Sequence, residues 1–130
     1  MSLKMIFFIA AGGAIGAVGR YAVMSAVGSL HLLDKPFPLG TLTVNVVGSF
    51  ILGAILEVSA QYWSPSPEIR AMVVVGMLGA FTTFSTFSMD VYYLGTRGDM
   101  GGAWLYIALS IILGVGAFFG AIHLFRAIFA

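Results

Sequence analysis

Four apolar stretches, at residues 5–30, 40–63, 70–94 and 104–129, take up almost the whole chain. About 20 apolar residues are enough to carry a helix across the hydrocarbon core, so each stretch predicts a transmembrane helix. The expected fold is an all-α, four-span membrane domain running from residue 1 to residue 130. Three short connectors separate the spans: 31–39 with Asp34, Lys35, Pro36 and Pro38; 64–69 with Pro65, Pro67 and Glu68; and 95–102 with Arg97 and Asp99. Links this short and this rich in turn formers make successive helices antiparallel neighbours. Composition agrees, because only 8% of residues are charged against about 25% in soluble domains. Tyr62, Trp63, Tyr92, Tyr93 and Trp104 fall at span ends, where interfacial aromatic belts lie.

Several function classes drop out at this stage. No basic cluster exists to meet nucleic acid. The absence of cysteine excludes disulfides and thiolate metal sites. Lys4 followed by an apolar run that continues past Arg20 makes a poor signal peptide. His31 and His123 fall near different connectors and ends, so no nucleophile–base pair can be assembled and an enzyme is not expected.

Charge placement bears on topology. With four spans, Lys4, Arg70 and Arg126 share one side of the membrane, while Lys35 and Arg97 share the other, with Arg20 nearer the second side. Three against two, or three against three, leaves the positive-inside rule little to act on. Insertion both ways up, and assembly of an antiparallel homodimer, follow as expectations. One fixed orientation set by subtler signals is the alternative.

The third span carries the most unusual chemistry. Phe81, Phe84 and Phe87 recur every third residue, and Thr82, Thr83, Ser85, Thr86 and Ser88 interleave with them. On one helix this sets an aromatic stripe beside stripes of hydroxyls, at a depth where a lipid-facing helix carries aliphatic side chains. Gly76 and Gly79 come just before this run. Glycine weakens a helix by about 1 kcal/mol relative to Ala, and Ser and Thr compete for backbone hydrogen bonds. A break near 79–83 is therefore one reading, at a depth where unwound backbone is tolerated only if it lines a cavity or holds an ion. A continuous helix whose hydroxyls bond back to the preceding turn is the other, and these residues alone favour it.

Other spans add polar groups at matching depth. Asn45 is the only asparagine, with Thr41 a turn before it and Gly48 and Ser49 a turn after. Its amide serves either to join helices or to line a pathway. Tyr106 and Ser110 share a face of the fourth span. Arg20 lies well inside the first span and needs a partner or an interfacial anchor, and Asp90 is its nearest carboxylate by depth. Glu57 reads as an end-of-helix ion pair on the side of Lys4 and Arg126. Gly12 with Gly16, and Gly116 with Gly120, form small faces suited to close helix packing. Neutral donors predominate in the spans and no carboxylate ring is present, so the set leans toward a small anion. The rings themselves leave the sign open: their electropositive edges suit the same ion, while their faces would suit a cation.

These motifs resemble a known family. The segment Gly12-Gly13 through Gly16-Ala17 to Arg20-Tyr21, the string from Gly40 to Asn45 with Gly48, and Gly79 followed by Thr82-Thr83-Phe84-Ser85-Thr86-Phe87-Ser88 are similar, in order and along the full length, to the fluoride channels called Fluc or CrcB. The resemblance implies a dual-topology homodimer with two antiparallel pores, passively exporting fluoride across the inner or plasma membrane and lowering cytoplasmic fluoride. It implies that Asn45 is a pore donor and that Phe84 and Phe87 present ring edges to fluoride. Ser110, Tyr106 and Thr41 match further pore positions. It also implies a third helix broken near its centre, and a structural sodium ion at the dimer centre held by the backbone carbonyls of Gly79 and Thr82 at that break. Ala80 and Asp90 depart from common family residues, Gly and Glu respectively.

Two other readings compete. A small proton-coupled four-span drug exporter needs a deep carboxylate, and the first span offers Arg20 instead. A non-transporting scaffold leaves the Phe and Thr stripes without a purpose.

Overall fold

Several helix starts in this chain are set by side chains that satisfy the free N–H groups of a first turn. In the computed structural model, which describes residues 1–130, Ser2 accepts the Met5 N–H and opens α1 (Leu3–Ser29). Ser66 accepts the Ile69 N–H, with Pro67 in the first turn, and opens α3 (Pro67–Arg70). Asp99 accepts the Gly102 N–H at 2.9 Å and opens α6 (Met100–Phe129). The third and fourth spans consequently begin a few residues before their apolar stretches do. Caps, prolines and glycines start helices without adding hydrophobicity.

The second span is one helix, α2 (Leu39–Gln61). The third, Pro67–Thr96 overall, is not. After α3 comes a π-helical segment (Ala71–Leu78), then a single turn, α4 (Gly79–Phe81), and after an extended pair α5 (Phe84–Thr96). The expected break is present, and it falls on Thr82 and Thr83. Their φ/ψ values of −85°/159° and −155°/117° are those of a strand. All four spans are long and apolar enough to cross a membrane, as expected of a multi-pass membrane protein.

The break passes the third span from one neighbour to another. Its first half packs along α1, and its second half leans on α6. The first contact is close: a Cβ added at Gly12 or Gly16 would collide with the carbonyls of Met72 and Met77 on the π segment. The wider turn of a π-helix thus meets a flank of α1 that has no side chains. On the other side of the molecule α2 packs along α6. There Gly53 lies directly against the Phe118 carbonyl. The Gly116 and Gly120 face behaves differently from its expectation: nothing in the chain lies within 4 Å of a Cβ built at either. The helix contact falls one turn round, on Phe118 and Ala121.

The end of the bundle that holds both termini is tied by side chains. Arg126 donates to Glu57 through two parallel hydrogen bonds of 3.0 Å each. Tyr62 bonds the Phe129 carbonyl, and Lys4 pairs with Glu68 at 3.2 Å. The Glu57 ion pair read from the sequence is therefore formed, with Arg126 as its partner.

Candidate ion pathway

Breaking a helix at mid-membrane frees backbone groups that water cannot reach, so each needs another partner. The Thr83 peptide finds its partner in Asn45. The Thr83 N–H donates to Asn45 Oδ1 at 2.7 Å, and Asn45 Nδ2 donates to the Thr83 carbonyl at 3.0 Å. An amide side chain is the one group that returns both bonds of a peptide in this geometry. Thr83 also restarts the helix, its hydroxyl accepting the Thr86 N–H at 3.1 Å and donating to Thr86 Oγ1 at 3.0 Å. Asn45 keeps a second N–H beyond the pair with Thr83.

Among the carbonyls that lose their helical donors in the same arrangement are those of Gly79 and Thr82. Gly79 would normally accept from the Thr83 N–H, which Asn45 takes, and Thr82 from the Thr86 N–H, which the Thr83 hydroxyl takes. The Thr82 side chain bonds back to the Leu78 carbonyl at 3.0 Å and so leaves its own carbonyl untouched. Arg20 approaches that carbonyl, with Nη1 at 3.5 Å. The Arg20–Asp90 pair considered from depth does not form. Tyr106 donates its hydroxyl to Asp90 Oδ2 at 3.1 Å instead.

Beside the break lies an open groove of about 430 Å³, walled by α2, the third span and α6. Asn45, Phe84, Phe87 and Ser110 line it, together with Gly79 and Thr82. The Ser110 hydroxyl is buried and has no hydrogen-bond partner within the chain. Phe84 is 79% exposed, with its ring 5.4 Å from that of Phe87 and tilted 46° to it. The aromatic stripe is not continuous, because the break divides it. Phe81 falls before the break and lies between the glycines Gly19 and Gly48 instead of on the groove.

Tyr106 and Thr41 sit apart from the groove. Tyr106 is wholly buried in a small core with Leu42, Leu94 and Ala103, behind Phe87 at 5.2 Å between ring centres. Thr41 is 2% exposed and borders a second cavity near the 31–38 connector, which Asp90 also lines. Sequence reading did not anticipate the bidentate bond to Thr83. The signal was available in one asparagine matched in depth to a run able to break.

Residues 7–122 match the family model described as CrcB-like protein, Camphor Resistance (CrcB). The chain belongs to the CrcB family. A fluoride-specific ion channel FluC of Rhodospirillum centenum is 48% identical over 124 residues, 95% of this chain and 97% of its own length. Similar proteins of the same name occur in Nitrobacter winogradskyi, 43% identical over 128 residues, 98% of this chain and all of the relative, and in Idiomarina loihiensis, 44% identical over 123 residues, 95% and 93%.

Proposed function

We propose that this CrcB-family chain is a passive, fluoride-selective channel of the cell's inner or plasma membrane, not an enzyme, that lets fluoride leave the cytoplasm. The observation that carries the reading is the groove at the break. It gathers a spare Asn45 N–H, an unpartnered Ser110 hydroxyl and two phenyl rings, a donor set without a fixed charge. Fluoride is small and strongly hydrated, so a pathway has to replace its water with donors while still allowing release. Neutral amide and hydroxyl donors and weakly positive ring edges do this without trapping the ion. The names of the relatives agree with the reading. A drug exporter has no comparable support, since Asp90 is engaged by Tyr106 and Glu57 by Arg126.

A groove with a bare Asn45 N–H and a bare Ser110 hydroxyl cannot face lipid. We assign its missing wall to a second, antiparallel copy, in keeping with the balanced Lys and Arg counts. Two equivalent pathways per dimer follow. The freed carbonyls of Gly79 and Thr82 suit a hard monovalent cation such as sodium on the dimer axis. Thr82 has a second lone pair beside its long contact with Arg20. Such an ion would pin the two breaks together.

The test is efflux of fluoride from liposomes that contain only this protein. Fast efflux with no imposed pH gradient, and little chloride efflux, is the expected result. Proton-coupled transport of an organic cation would overturn it. A tag on the C-terminus should be reachable from both faces of the membrane in cells, and labelling from one face only would sink dual topology.

A further inference from the structure

Ser49 follows Asn45 by one turn of α2 and borders the groove beside the break. Hydroxyls inside a helix commonly bond back to a carbonyl of the preceding turn. Those of Ser29, Thr82, Ser88 and Thr96 do so here. The Ser49 hydroxyl bonds to nothing in the chain and opens on the groove.

The register of α2 on α6 fixes what Ser49 faces. Gly53 lies against Phe118, and a Cβ built at Gly114 would come 3.9 Å from Ser49 Oγ, with no other neighbour within 4 Å. The two helices run in the same direction, so one turn back along each brings Asn45 level with Ser110. The groove is therefore built in tiers. The spare Asn45 N–H and the Ser110 hydroxyl occupy one, near Phe84 and Phe87. The Ser49 hydroxyl occupies the next, about 6 Å closer to the end that holds the termini. A glycine stands there where the facing side chain would be. Beyond it the walls are Leu52, Val74 and Val115, which offer no side-chain donor.

We propose that Ser49 is a second fluoride station, the next donor after Asn45 on the side of the termini, a role that rests on the channel reading above. A single site strong enough to strip water from fluoride would also hold it. Adjacent weaker sites let an arriving ion displace the one ahead. A free hydroxyl turns to donate to whatever stands before it, and Gly114 leaves the width that an ion at this height needs. Ser49 thus acts on the ion through its donor, and Gly114 through its lack of a side chain.

In liposomes holding the full chain, Ser49→Ala should lower fluoride efflux per folded dimer several-fold. Ser49→Thr keeps the hydroxyl and should retain most of the efflux. Neither should shift the unfolding temperature in detergent appreciably, because the hydroxyl has no partner in the chain to lose. Gly114→Ala separates conduction from packing. Its added methyl would meet Ser49 Oγ at ordinary contact distance, and Ala favours a helix over Gly. The unfolding temperature should hold or rise while efflux per dimer falls several-fold. Normal efflux per dimer in Ser49→Ala or in Gly114→Ala overturns the station. Equal loss in Ser49→Ala and Ser49→Thr overturns it as well, since the donor would not be the cause. A lower dimer yield with normal efflux per surviving dimer makes Ser49 an interface residue and overturns it too. Absent fluoride efflux from wild type defeats the channel reading itself and is seen before any variant is measured.

Discussion

The helix α2 meets its neighbours in two ways at different heights. Toward α6, Gly53 brings backbone against the Phe118 carbonyl, a dry seam that depends on the lack of a side chain. Two turns earlier, Asn45 meets the third span through two hydrogen bonds to a single peptide. Lipid offers no hydrophobic drive for helices to associate, so close packing and interhelical hydrogen bonds remain as the adhesive terms. The seam uses the first and the break the second. A seam is damaged by added volume and is indifferent to chemistry. The break is damaged by a change of donor into acceptor at constant volume.

Asn45→Asp should have the largest effect. It keeps the shape but sets a carboxylate oxygen against the Thr83 carbonyl, 3.0 Å away in the native pair. A buried charge without compensation costs several kcal/mol. Fluoride efflux should vanish, and the yield of folded dimer should fall with it. Native flux in this variant would remove Asn45 from both roles.

Gly53→Leu ranks next and probes the seam. Overpacking costs about 1–3 kcal/mol, and more where backbone blocks relief. Thermal unfolding in detergent should shift down markedly, while efflux per surviving dimer stays near wild type. Loss of efflux per dimer with normal stability would show that the seam and the groove are not separable.

Phe87→Ile and Phe84→Ile sharpen the contrast within the groove. Both should cut efflux strongly, since Ile fills space but offers no positive ring edge. Only Phe87 contacts the Tyr106 core, so Phe87→Ile alone should lower stability, by about 1–2 kcal/mol, less than full truncation of a core Phe. Normal efflux per dimer in both would make the rings packing residues.

Thr82→Ala is expected to do least. It deletes a hydroxyl that bonds back to Leu78 and leaves the backbone carbonyl in place. Stability should change by less than about 1 kcal/mol, and the sodium ion proposed above should still copurify with the protein. Loss of sodium in this variant would make the side chain the ligand.

Much of this architecture was legible because membranes enforce simple rules. Span length, connector chemistry and the existence of an ion pair at Glu57 all follow from residues whose cost in lipid is high, though the choice of Arg126 over Lys4 does not. The place of the break was legible to within a few residues, since glycines and hydroxyls both weaken a helix, but its existence was not, because the same hydroxyls can bond back along a continuous one. Which threonine restarts the helix was not, because Thr82 and Thr83 have the same intrinsic preference and only the position of Asn45 separates them. Tyr106 illustrates the other limit. Periodicity places it on the same face as Ser110, yet the ring of Phe87 covers Tyr106 in the core one turn away from where Ser110 meets the groove. Phe81 was separated from its stripe by the same break that the stripe suggested. Periodicity holds only while the helix does.

The bond between Asn45 and Thr83 also orders events in time. Chains enter the bilayer as they are made, amino end first, and Asn45 precedes Thr83 by 38 residues. By the time the ribosome reaches Thr83, the whole of α2 has been synthesised. An unwound peptide released into lipid with no partner would cost several kcal/mol for each bare group. Here the acceptor and donor it needs have already been made. A nascent third span that met no asparagine would do better to close its gap and become one continuous rod. Chain order thus lets the partner be made before the kink that depends on it.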